Sequence, residues 1–236
     1  MEPPRLIDFP RVVIFSGAGM SAESGVPTYR GAGGIWAEYD YERYACQRAF
    51  DRDPAAVWEF HNLRRVRVAG CAPNSAHRLV ARAQRLHPSL SVVTQNIDGL
   101  HQLAGATDVL ELHGSLWKLR CEDCGATQET RQAPLLEVRC RCGAHWRPAI
   151  TWFEDPTDEE VFTAAAEAIR ACDLFVSIGT SAVVFPAAAL PRLAARSGAV
   201  LVEINPEPTP ASALHALHLR GPATEMLPLL AGGLPD

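Results

Sequence analysis

Short apolar runs alternate with amphipathic segments along most of the chain. The runs are rich in Val, Ile, Leu and Phe and have the length of strands, whereas the segments between them carry apolar residues at helical spacing. Alternation of this kind is typical of a parallel sheet that helices cover on both faces. We therefore predict an α/β fold with strands at residues 12–16, 90–94, 109–112, 174–178 and 200–204.

Three helices carry sequence signals at their starts. Asp53 followed by Pro54 opens one apolar pattern, and Asn74 opens another. Side chains of Asp and Asn cap the free N–H groups of a first turn, and proline suits the first helical position. Thr157 and Glu160 have the spacing of a capping box. We predict helices that begin just after Asp53, Asn74 and Thr157.

Two stretches break the alternation. Residues 36–72 are helical throughout, and residues 117–147 hold most of the cysteines with little regular apolar pattern. We predict that these two insertions form a small lobe, a helical insertion beside a zinc-binding module, and that residues 1–35, 73–116 and 148–236 form a Rossmann-like domain. A cleft between such a sheet and a small lobe is a usual place for a ligand.

Composition limits the class of protein. The 236 residues are 47% hydrophobic, which is ample for a packed core, and the net charge of −5 argues against direct nucleic-acid binding. We see no apolar run of about 20 residues that would span a membrane and no secretory signal at the start. We expect a cytoplasmic protein without a membrane partner.

Four of the seven cysteines are crowded into one short stretch. Cys121 and Cys124 are followed, after fifteen residues, by Cys140 and Cys142. Two closely spaced cysteine pairs predict one tetrahedral zinc ion, and four protein ligands leave no open position for catalysis. The ion is therefore expected to be structural. The second pair is tight, so His145 is an alternative fourth ligand.

The first predicted strand runs into a glycine-rich turn, "VVIFSGAGMSAESG". Gly17, Gly19 and Ala22 have the spacing of a dinucleotide-binding turn, in which backbone N–H groups approach the phosphates. Such folds usually also have an acidic residue about 20 positions on, at the end of a second strand. Here the acids of "GAGGIWAEYDYER" follow no strand. The remainder of a dinucleotide therefore needs other partners.

Polar residues follow the next two predicted strands. Gln95, Asn96 and Asp98 come just after the second strand, and His113 follows the third. The carboxyl ends of parallel strands are where α/β sheets bind ligands, so we expect these side chains to lie together. A histidine beside such a cluster is a candidate general base.

The ordered motifs resemble those of the sirtuin family. These are "GAGMSAESGVPTYRG", "TQNIDGLHQLAG", "ELHGS", the four cysteines, "RPAITWF", "GTSAVVFPAA" and "INPEPTP", and together they cover residues 10–230. Sirtuins are NAD-dependent protein-lysine deacylases. The resemblance implies that an acyl-lysine oxygen attacks C1′ of the nicotinamide ribose and that nicotinamide leaves. A ribose hydroxyl then attacks the resulting imidate, and water completes the release of free lysine and O-acyl-ADP-ribose. The implied partners are acyl-lysine proteins or peptides.

The resemblance also implies roles for individual residues. His113 would be the general base, and Asn96 would share the catalytic centre with it. Gln95, Asn96 and Asp98 would fix the nicotinamide ribose and the carboxamide pocket. Phosphate and ribose would be bound by Gly179, Thr180 and Ser181, the adenosine ribose by Asn205 and Glu207, and the adenine by Ala223. The implied NAD-binding residues are Gly17, Ala18, Gly19, Ser21, Ala22, Glu23, Pro27, Thr28, Tyr29, Arg30, Trp36, Gln95, Asn96, Ile97, Asp98, Gly179, Thr180, Ser181, Asn205, Pro206, Glu207 and Ala223.

Acyl preference is the least defined part of the resemblance. "SAESGVPTYRGAGGIW" and "VWEFHNLRR" resemble the desuccinylase and demalonylase branch, class III, in which a Tyr-x-x-Arg pair binds a distal carboxylate. His61 stands here at the tyrosine position and Arg64 at the arginine position. Both share one helix face, which is either acyl-binding or merely solvated. Trp152 and Phe153 are expected in the acyl-lysine tunnel, with plain core packing as the alternative.

One departure from the family pattern keeps other activities open. Sirtuins usually have glycine and then glutamate after the Trp-Phe pair, and this chain has Glu154 and Asp155. An ADP-ribosyltransferase or NAD glycohydrolase on the same scaffold is therefore an alternative to a deacylase. A non-catalytic NAD-binding or zinc-dependent interaction module is a second alternative, and His113, Asn96 and Asp98 argue against it.

Overall fold

A computed structural model describes residues 3–29 and 34–234 of the chain. The strands are β1 (Val12–Ser16), β2 (Leu90–Thr94), β3 (Leu110–Glu111), β4 (Gly114–Arg120), β5 (Thr127–Glu129), β6 (Arg147–Ile150), β7 (Leu174–Ile178), β8 (Val200–Ile204) and β9 (Leu217–Leu219). The helices are α1 (Ile35–Glu38), α2 (Tyr41–Tyr44), α3 (Gln47–Arg52), α4 (Pro54–Ala69), α5 (Ser75–Leu86), α6 (Leu100–Leu103), α7 (Glu159–Ala171), α8 (Leu190–Arg196) and α9 (Ala223–Met226).

A parallel sheet organises the larger part of the molecule. Its strand order is β3-β2-β1-β7-β8-β9, and every pairing in it is parallel. The chain runs from β1 outward to β2 and β3, and later returns to place β7 on the other side of β1. The order therefore reverses between β1 and β7, and a crevice at the carboxyl ends of the strands is expected at such a reversal. The predicted α/β fold is confirmed.

Both faces of this sheet are covered. Val12 and Ile14 of β1 belong to a core that includes residues of α5 and α9. Val13 and Phe15 belong to a second core that includes residues of α7 and α8. Successive side chains of a strand point to opposite faces, so a strand buried on both faces has a continuous apolar sequence.

A third core joins the helices α3 and α4 to a small antiparallel sheet of order β5-β4-β6. Trp58 of α4 donates a hydrogen bond from its indole to the carbonyl of Trp146 at 2.6 Å. Arg65, also on α4, is 1% exposed and donates to the carbonyls of Thr130 and Gln132 at 2.7 and 2.8 Å. These bonds fasten the helical segment to the segment that holds the cysteines. The division into two units with the bounds given above stays a prediction.

The helix starts agree with the sequence at two of three positions. The side chains of Asp53 and Asn74 cap α4 and α5, and the expectation for both is confirmed. The prediction of a capping box at Thr157 and Glu160 is wrong. Helix α7 begins one residue later, because Asp158 accepts from the backbone N–H groups of Glu160 and Val161, both at 3.1 Å. A carboxylate so placed also interacts favourably with the helix dipole.

One strand is shorter than its sequence predicts, and the helices are short. Strand β3 covers only Leu110–Glu111, which is shorter than the predicted 109–112, because only two of its residues pair with β2. Among the described residues, every helix is too short or too polar to cross a bilayer.

Replacing Asp158 tests the corrected helix start. The Asp158→Ala substitution leaves two N–H groups of α7 without their cap, and a lost cap costs about 1 kcal/mol of folding free energy. The free energy of unfolding, measured in urea, should fall by roughly that amount. The Thr157→Ala protein is the matched control and should change by less than about half as much. A larger fall in the free energy of unfolding for Thr157→Ala than for Asp158→Ala would show instead that Thr157 caps the helix.

Candidate functional site

A cavity of about 670 Å³ opens at the carboxyl edge of the parallel sheet. The glycine-rich turn after β1 and the loops after β2, β7 and β8 line one side, and the segment after β6 lines the other. The volume lies within the range of about 300–1,000 Å³ that is typical of small-molecule sites. The cavity therefore occupies the crevice that the strand order predicts.

Glycine residues from two loops touch at the centre of this edge. The N–H of Gly19 donates to the carbonyl of Gly179 at 2.8 Å. A Cβ atom on Gly17 would lie 2.8 Å from that carbonyl oxygen, and one on Gly19 would lie 2.6 Å from the Cα of Gly179. Gly179 itself has a φ of +59°. Only glycines allow the two backbones to approach this closely, so they shape the cavity floor.

Ser21 anchors the turn to the loop after β2. Its hydroxyl donates to the carboxylate of Asp98 at 2.7 Å and accepts from the amide of Asn96 at 3.3 Å. The same amide donates to the carbonyl of Gly17 at 3.0 Å. Burial raises the pKa of Asp98, and the hydrogen bonds from Leu100 and Ser21 oppose that shift. The polar residues of the turn therefore hold it against the loop that follows β2.

Glu23 anchors the same turn at its other side. Its carboxylate accepts from the hydroxyl of Thr224 at 2.6 Å and from the Thr224 N–H at 3.1 Å. Thr224 lies in α9, next to Ala223, which lines the cavity. Thr224 was not predicted from the sequence, because nothing near it indicates a partner 201 positions away.

His113 also lines the cavity, just beyond β3. Its Nδ1 is 3.0 Å from the carbonyl oxygen of Gln95. A carbonyl only accepts, so Nδ1 carries the proton and Nε2 keeps a lone pair. Burial lowers the pKa of His113, and the bond to Gln95 opposes this. The ring is therefore neutral at pH 7 and able to accept a proton.

Arg64 faces the cavity from α4. Its guanidinium donates to the hydroxyl of Tyr29 at 2.7 Å and lies 5.2 Å from the centre of that ring. It forms no ion pair with any residue in the described part of the chain. Arg64 thus offers an unneutralised positive charge to an anionic group in the cavity.

His61 lies behind the cavity wall rather than in it. The side chain is 1% exposed, and its ring stacks on Trp152 with 5.8 Å between centres. Its two nitrogens make no hydrogen bond of normal geometry with a described residue, although the backbone of Tyr44 approaches them. Burial holds the pKa of His61 well below its usual value, and Arg64 adds to the shift. Trp152 and Phe153 themselves line the cavity.

The unusual pair after Phe153 has a defined conformation. Glu154 has a φ of +73°, a region that favours glycine, and its carboxylate is 2.7 Å from the guanidinium of Arg48. Asp155 accepts from the N–H of Trp152 at 2.9 Å and pairs with the buried Arg147 at 2.5 Å. Asp155 therefore fixes the segment, and Glu154 accepts backbone strain beside the cavity.

The four cysteines of the small lobe meet at one point. Their sulfur atoms all lie within 4.8 Å of one another, with Cys121 3.5 Å from Cys142 and Cys124 3.6 Å from Cys140. Four thiolates at 2.3 Å from a tetrahedral zinc ion are about 3.8 Å apart, so the cluster fits zinc. His145 is outside this group.

Most of the predicted cofactor residues line the same cavity. Pro27 and Asp98 line a small neighbouring recess. Ala18, Tyr29 and Arg64 line both this recess and the main cavity. Ser21 is buried beneath the turn. Arg30 and the side chain of Trp36 lie outside the described residues. The predicted residues in the main cavity are Gly17, Ala18, Gly19, Ala22, Glu23, Thr28, Tyr29, Gln95, Asn96, Ile97, Gly179, Thr180, Ser181, Asn205, Pro206, Glu207 and Ala223.

Comparison with known proteins identifies the family. The model of the Sir2 family matches residues 17–186. This chain belongs to the Sir2 family. The prediction of a sirtuin is thereby confirmed, whereas membership of the class III branch stays a prediction.

Relatives of this Sir2 protein are similar over most of their length. An NAD-dependent protein deacylase of Mycobacterium leprae is 44% identical over 234 residues, 95% of this chain and 98% of that protein. NAD-dependent protein deacylase 1 of Caldanaerobacter subterraneus is 44% identical over 203 residues, 85% of this chain and 84% of that protein. A Sir2 homologue in complex with NAD has a TM-score of 0.88 at 37% identity and covers 98% of this chain and 94% of its own.

Removal of zinc should unfold the small lobe of this Sir2 protein. A structural ion contributes folding free energy, so chelation or Cys121→Ser should lower the thermal midpoint and release the metal. The measurement combines elemental analysis with a melt followed by tryptophan fluorescence, since Trp117 and Trp146 lie in that core. Cys71→Ser, which changes a cysteine outside the cluster, should keep one zinc ion per chain. Full stability without metal would contradict the structural role.

Proposed function

We propose that this chain is an NAD-dependent protein-lysine deacylase that produces nicotinamide, O-acyl-ADP-ribose and deacylated lysine. The observation that carries the proposal is a neutral, accepting histidine, His113, in one cavity with Asn96 and the glycine turn. The names of the relatives support the activity, and a Sir2 protein of 34% identity was solved with a myristoylated histone peptide. The proposed substrates are therefore acyl-lysine peptides or proteins.

The residues of the turn and of the loop after β2 would bind NAD. Gly17, Ala18 and Gly19 present the turn backbone toward the pyrophosphate, and Gly179, Thr180 and Ser181 do so from β7. Asn205 and Glu207 follow β8 and would bind the adenosine ribose. When bound, NAD would supply the electrophile of the reaction, which is the positively polarised C1′ of the nicotinamide ribose.

Asn96 and Asp98 would hold the nicotinamide end in the orientation that the reaction needs. Both are 4% exposed, and their bonds to Gly17 and Ser21 fix them before any ligand binds. A preorganised polar group costs no reorganisation during the reaction. His113 would then take the proton of the attacking ribose hydroxyl through Nε2, because Nδ1 donates to the carbonyl of Gln95.

Changing His113 to Ala tests the proposed base. His113→Ala should lower deacylation of an acetyl-lysine peptide by about 10²–10⁴-fold, since it removes a general base, while binding of ADP-ribose is kept. Mass spectrometry of the peptide and of nicotinamide measures both products. His87→Ala, which replaces a histidine outside the cavity, is the matched control and should keep full turnover.

The same assay separates the deacylase from its alternatives. Nicotinamide release that requires an acyl peptide supports the proposal. Release without any acyl peptide would indicate an NAD glycohydrolase, and transfer of ADP-ribose to protein would indicate an ADP-ribosyltransferase. Undiminished turnover by the His113→Ala protein would remove His113 from the mechanism.

We further propose that Arg64 favours acyl groups with a distal carboxylate, as in the desuccinylase and demalonylase branch. Support comes from its charge, which no described acidic residue neutralises, and from its place on the wall near Tyr29. His61 would act differently from the family's tyrosine. Because it is buried against Trp152, it would shape the wall and leave Arg64 to bind the carboxylate alone.

The Arg64→Met substitution tests this acyl preference. It should lower kcat/KM for a succinyl-lysine peptide by roughly 10-fold or more, because a charge-assisted hydrogen bond is lost, and affect an acetyl-lysine peptide far less. Arg67→Met lies one turn further along α4 outside the cavity and should change neither substrate. Equal losses on both peptides for Arg64→Met would show that Arg64 is structural.

A further inference from the structure

The wall of the cavity beyond β8 is an unusual loop with the sequence Asn205-Pro-Glu-Pro-Thr-Pro210. All six of its residues line the cavity. Pro206, Pro208 and Pro210 have no N–H group, so this loop can form few backbone hydrogen bonds. The N–H of Asn205 donates to the carbonyl of Leu219 at 3.2 Å. Side chains must therefore supply much of what holds the loop in place.

A buried carboxylate on β8 supplies that support. Glu203 is 2% exposed and does not line the cavity. Its Oε1 accepts from the hydroxyl of Thr209 at 2.7 Å, and the hydroxyl of Ser212 lies 2.9 Å from Oε1 and 2.7 Å from Oε2. The same Ser212 hydroxyl accepts from the N–H of Thr209 at 2.8 Å. Glu203 and Ser212 therefore both hold Thr209 in place, although neither of them lines the cavity.

Arg220 connects the same carboxylate to the start of the loop. Its guanidinium lies 2.8 Å from Oε2 of Glu203 and donates to the carbonyl of Glu207 at 3.2 Å. His218 lies 3.2 Å from Oε2 and faces it from β9. Burial opposes ionisation of Glu203, but the bonds from Ser212, Thr209 and Arg220 outweigh it and lower the pKa of Glu203. The carboxylate is thus ionised, and it is held by Thr209 near the end of the loop and by Arg220, which in turn binds the carbonyl of Glu207.

We infer that Glu203 is a positioning residue that holds the proline-rich loop in the conformation that binds the adenosine half of NAD. The inference rests on the proposed function, since it names the ligand of that cavity. Glu203 cannot touch the ligand itself, because it is buried beneath the wall. Its effect is therefore confined to Asn205, Glu207 and their neighbours, at the end of the cavity far in sequence from His113 and Trp152.

If Glu203 only positions the proline-rich loop, its loss should produce a specific kinetic pattern. Loss of Glu203 should weaken binding of the dinucleotide and leave the acyl peptide and the chemical step nearly unchanged. A general loss of folded protein would instead lower the apparent kcat and leave both KM values unchanged, and a general distortion of the site would raise both KM values. The ratio of the two KM values therefore separates positioning from stability.

The test measures binding of ADP-ribose by calorimetry and steady-state kinetics with NAD and an acyl peptide. Glu203→Gln keeps the shape of the side chain but replaces an acceptor oxygen with a donor that faces Ser212 and Arg220. Its Kd for ADP-ribose and its KM for NAD should rise roughly tenfold, while KM for the peptide and kcat change by less than about twofold. Ser212→Ala should act in the same direction, by a smaller factor, and Glu203→Asp should recover part of the loss.

Asp173→Asn is the matched control. Asp173 follows α7 and accepts hydrogen bonds from the backbone and guanidinium of Arg11, at the amino edge of the same sheet. Like Glu203, it is a carboxylate paired with an arginine, but it is remote from the cavity. This variant should lose thermal stability and keep the wild-type Kd for ADP-ribose.

The outcomes distinguish this inference from the proposed function. A wild-type chain that binds no ADP-ribose overturns both. Wild-type binding together with an unchanged Kd for folded Glu203→Gln overturns the inference alone, as does an equal rise in both KM values. Should Glu203→Gln fail to fold, Ser212→Ala decides, because it removes a hydroxyl outside the cavity: an unchanged Kd overturns the inference, and a raised one supports it.

Discussion

The close approach of two backbones at the centre of the sheet is the constraint on which the site depends. The turn after β1 and the loop after β7 touch through Gly17, Gly19 and Gly179, where a single added Cβ would collide with main-chain atoms. Backbone collisions of this kind cannot be relieved by a rotamer change. Because β1 and β7 flank the point at which the strand order reverses, this contact also determines where the cavity opens. The fold and the site thus both require glycine at these three positions.

Buried polar groups convert this framework into a specific site. Asp98 and Asn96 are expensive to bury, and they are tolerated because Ser21, Gly17 and the backbone of Leu100 satisfy them. The turn is held at a second point by Thr224, which belongs to the last helix. Residues that are far apart in sequence are therefore mutually dependent, and the proposed chemistry draws on most of the chain length.

The sequence was sufficient to predict elements whose signals are local. The continuous apolar runs of β1, β2, β7 and β8, the caps of α4 and α5 and the cysteine spacing all reflect chemistry within a few residues. The polar residues after β2 and β3 could be placed at one edge because parallel strands share a direction. Thr224 could not be found in that way, since its partner Glu23 is 201 positions away. The role of Glu203 was also not predictable, because Thr209 lies in a loop without a periodic pattern and Arg220 follows β9, a short strand with a weak pattern. The burial of His61 could not be predicted either, because it depends on contact with Trp152, which is distant from α4 in sequence.

The alternation of proline beyond β8 has a consequence for how this wall can be observed. Every second residue from Pro206 to Pro210 lacks an exchangeable amide proton, so hydrogen exchange and amide-detected resonance spectra report on only Glu207 and Thr209 between them. An apparently uneventful exchange profile for this segment would therefore carry little information about its motion. Labels on carbon, such as the methyl group of Thr209, are the probes that can follow the wall as a ligand enters and leaves.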